Sequence, residues 1–384
     1  MNKERKHIIF LARWYPHRYD PMFGLFVQRH AEAAALFNDI TVIYCQQTTD
    51  NGQQTSSKEK FEIVRTNENN VDTIRVYYKK PKNKIQSLLR FYRANMMALK
   101  LCKKPDLIHV HVLTRLGVIA WIQKILHKTP YIITEHWSRY LPGNDFSGFL
   151  RKTACKLVVR NAKTVTTVTE NLATAMKNHG LKNDNYVVLP NVVNLDMFHI
   201  NQKCTDAINH VPTIIHISCF EDKSKNISGL LESLKIIDDK GIDFQCKLIG
   251  EGMDLDLMKE KAKNLQLINK VSFTGLLQGQ ALADELSSGD FLVLSSNYEN
   301  MPVVILEALA SGLPVVSTNV GGIKEMIDDT KGILVEPRNK EALAEAMIKM
   351  IETHKNYDAN YLRNSVIEKY GYESVGMFLS RLYK

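Results

Sequence analysis

Residues 295–325 read SSNYENMPVVILEALASGLPVVSTNVGGIKE, and this stretch decides the fold of the chain. It follows an apolar run that ends at Leu294, and its helical segment opens at Pro302 and closes at Gly312. Proline at the start and glycine past the end are typical of a helix. The run LPVVST then has the pattern of a short buried strand, and a pair of glycines precedes another helix start. The order strand, loop, helix, strand, glycine turn and helix is typical of a nucleotide-binding α/β domain.

Length and composition indicate a two-domain protein without a membrane span. The chain has 384 residues, which is enough for two domains that each bury a core. It is 45% hydrophobic and 24% charged, as ordinary globular proteins are. The N-terminal run IIFLA is too short for a transmembrane helix or a signal peptide, so we expect a cytoplasmic protein. Six scattered cysteines favour free thiols over a disulfide or zinc framework.

Charge is divided unevenly along the chain. Residues 1–190 carry 30 Lys/Arg and 14 Asp/Glu, a net charge of +16. Residues 191–384 carry 20 Lys/Arg and 27 Asp/Glu, a net charge of −7. This split predicts two domains with different partners, the first of which contacts something anionic.

Two successive series of strands and helices predict an α/β protein of two doubly wound domains that face each other across a cleft. In the first series, FEIVRT and TIRVYY predict a hairpin around the turn NENN. The strand PTIIHIS starts the second series, which continues to the strand before Ser295. The expected segments are a first domain over 1–190, a second over 191–365 and a terminal helix over 366–384.

Residues 75–104 contain ten basic residues and no acidic one. A helix there would carry basic residues on one face and an apolar stripe on another. In the first interpretation, which base rates favour, the stripe covers the core and the basic face is solvated. In the second, the helix lies on anionic lipid, where each basic side chain contributes about 1 kcal/mol. Nucleic acid is not expected, because aromatics are few and no known module is present. The stripe comprises Ile85, Leu88, Leu89, Tyr92, Met96 and Leu99.

Two strands of the first series end in residues suited to proton transfer. PDLIHVHV places His109 and His111 on one face, and YIITEHW ends its strand at Glu135 and His136. Ligands of open parallel sheets bind beyond the carboxyl ends of the strands. Imidazole also titrates near neutral pH. We therefore expect a functional His111, whereas His109 is as readily a structural histidine.

Glycines and lysines mark the places where phosphates would approach the backbone. Gly24 stands between a strand and a helix, where a plain turn is the alternative to ligand contact. Lys223 and Lys225 precede a helix that begins near Asn226, so ammonium groups and a helix N-terminus would converge on a diphosphate. Gly250, in the sequence GEG, is a weaker candidate.

Glu299 and Glu307 bracket the loop and helix of the central stretch. Carboxylates suit hydroxyl-rich ligands, because a hydrogen bond to a charged group contributes about 1.5–3 kcal/mol. The two could hold two polyol parts of one ligand, while the helix start at Pro302 favours a phosphate. The alternative makes Glu299 a helix cap and Glu307 a surface residue.

Metal dependence is not expected. His109 and His111 lack a fixed third ligand. Asp254 and Asp256 point to different faces of a helix and fit first-turn acids better than metal ligands.

The chain resembles a family-4 glycosyltransferase, of the retaining kind with the GT-B fold. The signature of that family is Glu, seven residues and Glu, followed by A-x-G-x-P-V-V and a pair of glycines. It stands here as ENMPVVILE (299–307), ASGLPVVST and GGIKE. The resemblance is strong over 213–337 and loose over 1–190, and it implies that the terminal helix crosses back to the first domain.

The resemblance implies donor contacts for the residues that match the signature. Glu307 would bind the ribose of a nucleotide sugar, and Glu299 the transferred sugar. Lys225 matches the lysine on the donor diphosphate. The family usually has an arginine six residues earlier, where Cys219 stands here, and Lys223 could supply the missing charge. The residues that would line sugar and phosphate are Asn300, Met301 and Pro302.

In the first domain the resemblance implies that Gly24 matches the glycine of the first loop and His111 the active-site histidine. His136 falls where the family often has a second histidine, and it would lie on the acceptor side together with Glu135.

We therefore expect a metal-independent retaining glycosyltransferase that uses a UDP- or GDP-linked sugar. Its acceptor would be a glycan or lipid-linked intermediate of cell-envelope polysaccharide. The rivals are another GT-B activity, such as a sugar-nucleotide epimerase or a phosphorylase, and a non-catalytic nucleotide-sugar-binding protein.

Overall fold

The computed structural model describes residues 5–48, 60–81, 83–113, 115–144, 146–200 and 210–384. The chain divides into two compact units, Met1–Val192 with Tyr372–Lys384, and Val193–Gly371. Each unit has its own sheet and its own buried apolar core. The cysteines among the described residues are free thiols, as predicted, and Cys204 lies outside those residues.

The first unit is an α/β structure on an eight-stranded sheet. Its elements are β1 (His7–Ala12), α1 (Leu25–Ala35), β2 (Asp39–Gln47), β3 (Phe61–Glu68), β4 (Val71–Tyr78), α2 (Lys84–Lys100), β5 (Leu107–His111), α3 (Arg115–His127), β6 (Tyr131–Glu135), α4 (Phe149–Asn161), β7 (Thr164–Thr167), α5 (Glu170–Asn178) and β8 (Tyr186–Val188). The strand order is β3-β4-β2-β1-β5-β6-β7-β8. Only β3, paired with β4, is antiparallel among these described strands. The central strands β1, β5 and β6 are almost wholly buried, which explains their apolar runs.

The predicted hairpin is confirmed by β3 and β4. Phe61 pairs with Tyr78 at its open end, and Glu68 pairs with Val71 beside the turn. Asn69 and Asn70 adopt φ angles of 51° and 61°. A two-residue turn of this kind needs positive φ at both positions, which asparagine tolerates better than most residues.

The second unit is built on a six-stranded parallel sheet with the order β11-β10-β9-β12-β13-β14. The strand order reverses between β9 and β12, so their carboxyl ends form the ligand-binding edge expected of such a sheet. The elements are β9 (Thr213–Ile217), α6 (Asp222–Lys225), α7 (Ile227–Asp239), β10 (Gln245–Ile249), α8 (Leu255–Asn264), β11 (Val271–Gly275), α9 (Gly279–Ser288), β12 (Phe291–Leu294), α10 (Val303–Ala310), β13 (Val315–Thr318), β14 (Gly332–Val335), α11 (Lys340–Thr353) and α12 (Ala359–Tyr370).

The terminal helix differs in extent from the prediction over 366–384. The chain forms α12 up to Tyr370, breaks at Gly371 and continues as α13 (Tyr372–Leu382). Gly371 has an extended backbone, which ends the first helix. Only α13 belongs to the first unit, where its residues Val375 and Leu379 are buried in the core beside α1.

The face that α2 turns to the core also differs from the prediction. Its buried residues are Phe91, Ala94, Asn95 and Ala98, whereas Ile85, Leu88 and Leu89 of the predicted stripe are exposed. Small residues let the helix lie close to β2 and β4, whereas the large side chains of its first turns are exposed. None of the helices in the described ranges is long and apolar enough to cross a membrane.

The helix predicted after the glycine pair is a single 3-10 turn, Ile323–Glu325. The chain then enters β14 and α11, two elements that we did not single out from the sequence.

Candidate functional site

Two loops meet at the carboxyl ends of β9 and β12, where the strand order of the second sheet reverses. Ser295 Oγ donates a hydrogen bond to the Lys225 carbonyl at 2.8 Å. The Asn297 N–H donates to the Ser224 carbonyl, also at 2.8 Å. We call residues 218–226 and 295–302 the switch-point loops. Their mutual hydrogen bonds bring the lysine of one loop to the carboxylate of the other.

Lys225 and Glu299 form an ion pair in which Nζ and Oε1 are 2.6 Å apart. Ser296 Oγ donates to the same carboxylate oxygen at 2.7 Å. The two side chains are only 19% and 10% exposed, so solvent screens the pair weakly. Burial lowers the pKa of Lys225, but the adjacent Glu299 carboxylate outweighs it and raises this pKa above its ordinary value. The two loops thus bring an ammonium and a carboxylate into direct contact, which was not predicted from the sequence. The convergence of Lys223, Lys225 and a helix N-terminus on a diphosphate stays a prediction.

Glu307 lies on α10 and is 4% exposed, so the alternative of a surface residue is wrong. Burial of a carboxylate costs free energy unless hydrogen bonds or opposite charges from other groups or from a ligand compensate it. Glu299 does not cap α10 either, because the N-cap residue is Pro302 and no side chain caps the helix there. Both carboxylates therefore occupy positions at which they can serve a ligand.

The glycine pair, Gly321 and Gly322, packs against the backbone of the segment from Glu299 to Pro302. The Gly322 N–H donates to the Asn300 carbonyl at 3.0 Å. Gly321 has a φ of 60°, and a Cβ atom at this position would lie 1.9 Å from the Glu299 carbonyl oxygen. The second half of the signature therefore supports the backbone of the first half.

Gly321→Ala should disturb this support. The left-handed backbone costs about 1–2 kcal/mol for a residue with a side chain, and the new methyl group would push Glu299 away. We expect a lower melting temperature and weaker nucleotide-sugar binding. Gly241→Ala is the matched control, because Gly241 also has a positive φ, 72°, with no atom within 4 Å of the added Cβ. Equal ligand binding by both variants would contradict this role for Gly321.

Three further residues singled out from the sequence, Gly250, Lys223 and Cys219, lie in the switch-point loops or next to them. Gly250 follows β10, and a Cβ atom there would lie 1.9 Å from the Ser218 carbonyl oxygen. Gly250 thus lets two strand ends approach, and its predicted donor contact stays a prediction. Cys219 is exposed in the loop after β9, and Lys223 is exposed on the short helix α6. The Lys223 carbonyl accepts a hydrogen bond from Asn297 Nδ2 at 3.1 Å, which fixes its backbone.

In the first unit, His111 and His136 lie at the ends of β5 and β6. His111 Nδ1 and His136 Nε2 are 3.2 Å apart, within hydrogen-bond reach. Phe10 stacks on His111 with ring centroids 4.6 Å apart, and both imidazoles are buried. Burial, with the neighbouring histidines as a smaller cause, holds the pKa of each well below its ordinary value. These rings are therefore neutral at physiological pH.

His109 is a structural histidine. Its Nδ1 lies 2.9 Å from the Tyr383 hydroxyl, and its Nε2 lies 2.5 Å from Thr134 Oγ1. Both ring nitrogens thus have partners, and one of them ties Tyr383, just after α13, to β5.

Glu135 was predicted on the acceptor side, but the structure gives it a positioning role. The carboxylate is fully buried and accepts the N–H groups of Leu113 at 2.8 Å, His136 at 2.9 Å and Trp137 at 2.8 Å. These three hydrogen bonds come from the backbone and order the chain after β5 and β6. Burial raises its pKa to about 6, against these three bonds, which lower it.

Glu135→Gln should destabilise the first unit, because an amide cannot accept at both ends and leaves a buried N–H unsatisfied, at about 1–3 kcal/mol. In the folded wild type the Glu135 carboxyl binds its proton more tightly than in the unfolded chain. The free energy of unfolding of the wild type should therefore fall as pH rises from 4.5 through about 6, and the variant should lack this contribution. Urea unfolding across that pH range measures both effects. Glu68→Gln, an exposed change on β3, is the control, and equal stability of the two variants would contradict the positioning role.

Gly24 precedes α1 with a φ of 72°. A Cβ atom there would lie 2.3 Å from the Trp14 carbonyl carbon, so the loop after β1 packs closely on itself. A ligand contact by Gly24 stays a prediction.

One group with metal-ligand spacing occurs among the described residues. It comprises His30, His111 and His136, whose candidate ligand atoms lie within 4.8 Å of one another. His30 lies on α1, away from the other two in sequence, and His109 of the pair considered from the sequence does not belong to this group. Asp254 and Asp256 do not come together as metal ligands. Asp254 accepts a hydrogen bond from the Asp222 N–H at 2.8 Å, and Asp256 is exposed.

Sequence reasoning missed Ser296 and His30, since a single serine or histidine carries no spacing signal. It also missed Arg139, whose guanidinium lies 3.2 Å from the centre of the Trp137 ring. The sequence WSR at 137–139 places the two residues close together, but only the structure shows that they stack.

Family models match the two units in turn. The model described as Glycosyltransferase Family 4 matches residues 14–197, and the model described as Glycosyl transferases group 1 matches residues 205–366. The chain belongs to the family-4 glycosyltransferases. The signature at 299–322 was therefore interpreted correctly.

This glycosyltransferase is similar over most of its length to proteins of known name. TuaC of Bacillus subtilis (strain 168), a glycosyltransferase proposed to act in teichuronic acid biosynthesis, is 25% identical over 88% of each chain. Sucrose-phosphate synthase from Thermosynechococcus elongatus has a TM-score of 0.79 at 20% identity, over 99% of this chain and 98% of that one. HepE from Anabaena, in complex with UDP and glucose, has a TM-score of 0.72 at 16% identity, over 98% and 99%. These structures confirm the GT-B fold.

Proposed function

We propose that this glycosyltransferase is a retaining, metal-independent enzyme that transfers a sugar from a nucleotide donor to a hydroxyl of a cell-envelope glycan or its lipid-linked precursor. The observation that carries the donor assignment is the largely buried Lys225–Glu299 pair at the edge where the strand order of the second sheet reverses. The similarity to TuaC supports a cell-envelope product.

The donor's polyol parts suit the two carboxylates. Glu307 would accept hydrogen bonds from a ribose, and Glu299 from the transferred sugar. The HepE structure contains UDP and glucose, which supports a uridine nucleotide in this chain too. GDP stays an alternative for the thermal-shift comparison below.

The donor's phosphates suit Lys225 and the first turn of α10. An ammonium has three N–H donors, so Lys225 can keep its bond to Glu299 and donate another to a phosphate oxygen. The free N–H groups at the start of α10 add positive potential. Neutralisation of the leaving diphosphate would then come from the chain itself, which supports metal independence.

We infer a front-face reaction, in which the bond between the anomeric carbon and the phosphate oxygen breaks and the acceptor oxygen bonds to that carbon on the same face. The leaving phosphate oxygen takes the proton of the acceptor hydroxyl. No side chain is assigned as a covalent nucleophile. Neutral His111 and His136 would exchange hydrogen bonds with sugar hydroxyls rather than contribute a cation.

Thermal shift with a panel of nucleotides and nucleotide sugars tests donor binding. A ligand at 100 times its dissociation constant should stabilise the folded state by about 2.7 kcal/mol. We expect a UDP- or GDP-linked sugar to raise the melting temperature equally with magnesium and with EDTA. An absolute requirement for a divalent cation would contradict metal independence, and the anomeric configuration of the product, by NMR, would test retention.

Cys219, in place of the family's arginine, is the observation that favours a non-catalytic nucleotide-sugar-binding protein. Nucleotide release with a cell-envelope acceptor extract would exclude it. A nucleotide sugar that is converted without any acceptor would instead indicate an epimerase.

We also propose peripheral contact with an anionic membrane through α2. Ile85 is 73% exposed, and Leu89 is exposed beside it. Arg90 donates to the carbonyls of Lys79 and Lys80, so it is not a free lipid contact. The combined change Ile85→Ser and Leu89→Ser should reduce sedimentation with anionic liposomes, whereas Arg160→Ser on α4 should not. Equal sedimentation of the α2 variant and the wild type would contradict membrane contact by α2.

A further inference from the structure

The first unit contains a cavity that the donor chemistry does not explain. Its volume is about 950 Å³, and four arginines line it: Arg13, Arg115, Arg139 and Arg151. We call it the arginine cavity. Among its described lining residues there is no aspartate or glutamate.

These arginines differ from others of the first unit. Arg18 pairs with Glu62 at 2.6 Å, and Arg65 with Asp72 at 2.8 Å. Within the described part of the chain, by contrast, no ion pair forms at any arginine of the cavity. They come from four separate segments, the loop after β1, the start of α3, the turn after β6 and α4. The buried Glu135 carboxylate interacts electrostatically with Arg139 but does not line the cavity, so one carboxylate faces four cations. This excess of positive charge predicts an anionic ligand.

Arg139 is the most constrained of the four. Its guanidinium stacks on the Trp137 ring at 3.2 Å from the centroid. Its Nε atom is buried and has no hydrogen-bond partner among the described residues. Burial lowers the pKa of Arg139. A stacked guanidinium keeps its N–H donors in one plane, which suits bidentate recognition of a phosphate.

Besides the arginines and polar residues such as Gln46, Gln47 and Ser87, the cavity wall contains apolar side chains that continue onto exposed surface. Leu88 of α2 and Leu150 of α4 both line the cavity, and Leu150 is 82% exposed. Each has exposed apolar neighbours in its own helix, namely Leu89 and Phe149. Exposed apolar side chains at a cavity edge are typical of a site for an apolar ligand or a membrane surface.

We propose that the arginine cavity binds the acceptor, and that the acceptor is an amphipathic lipid phosphate or diphosphate that carries the sugar to be extended. The phosphate groups would bind the arginines, and the apolar chain would lie along Leu88 and Leu150. This rests on the proposed function. A soluble acidic saccharide would use the arginines but not the apolar wall, so the two parts of the cavity favour the lipid.

Calorimetric titration with farnesyl diphosphate, inorganic pyrophosphate and farnesol tests the proposal on the full chain. We expect farnesyl diphosphate to bind at least about tenfold more tightly than either of the other two, since each of those makes only half of the contacts. Equal affinity for pyrophosphate and farnesyl diphosphate would overturn the lipid assignment.

Variants test whether the probe binds in this cavity. Arg139→Gln and Arg115→Gln should each weaken farnesyl diphosphate binding by about tenfold or more. Arg115 is exposed, so its replacement should not affect folding. Arg65→Gln, which breaks the pair with Asp72 outside the cavity, is the control. Unchanged binding by both cavity variants would overturn the site.

Nucleotide-sugar binding, measured on the same samples, separates this proposal from the proposed function. We expect both cavity variants to keep wild-type donor affinity. If the wild type binds no nucleotide sugar, the proposed function fails, and with it the acceptor role of the cavity. If the donor binds and farnesyl diphosphate does not, only the acceptor proposal fails.

Discussion

Glu307→Ala should abolish measurable binding of the nucleotide-sugar donor. The carboxylate is buried on α10, and its proposed partners are ribose hydroxyls. A hydrogen bond to a charged group contributes about 1.5–3 kcal/mol, so the loss of two such bonds weakens binding by about a hundredfold or more. Calorimetric titration of the wild type and the variant with the preferred nucleotide measures the difference.

Two further variants serve as controls. One keeps the shape of the Glu307 side chain without its charge, and the other removes an exposed carboxylate elsewhere in the second unit. Glu307→Gln keeps the volume but not the charge, and it should weaken binding by about tenfold or more. Glu345→Ala removes an exposed carboxylate from α11 and should bind like the wild type. Donor binding and turnover that survive in Glu307→Ala would show that the donor assignment is wrong.

Lys225→Met should both destabilise the second unit and lower turnover. Glu299 is 10% exposed, so loss of its ammonium partner leaves a nearly buried charge uncompensated, at a cost of about 3 kcal/mol. Loss of a positive group at the leaving diphosphate should lower kcat by about a hundredfold or more. Chemical unfolding and steady-state kinetics measure the two effects separately.

A double variant distinguishes structural from catalytic loss. Lys225→Met with Glu299→Gln removes the stranded charge and should recover most of the lost stability without recovering turnover. Lys235→Met, which breaks an ion pair on α7 away from the switch-point loops, is the control and should keep wild-type turnover. Recovered turnover in the double variant would contradict a direct role for Lys225 at the phosphates.

The sequence predicted the donor half of the site well because its residues lie in short, ordered segments. Proline and glycine marked both ends of α10, and the loop between Glu299 and the helix had a recognisable spacing. The position of Lys225 after the first strand of the second domain followed from the strand pattern, and its role at the donor diphosphate from the resemblance. The direct Lys225–Glu299 contact did not, since it depends on β9 and β12 being neighbours.

The first unit was harder to predict because burial there depends on packing between distant segments. The apolar stripe at 85–99 had helical spacing, yet the helix meets the sheet through Ala94 and Ala98. Glu135 follows a strand like a ligand residue, but three backbone N–H groups use its carboxylate. The arginine cavity combines four segments that no local pattern connects.

Acceptor-dependent release of nucleotide tests the central claim most directly. The wild type would be incubated with each nucleotide sugar that stabilises it, with and without a cell-envelope acceptor extract. We predict that free nucleotide appears only with the acceptor, in step with incorporation of the sugar, and that Lys225→Met loses this activity. Stabilising binding of a nucleotide sugar with no release under any of these conditions, or its conversion without an acceptor, would contradict glycosyl transfer by this chain.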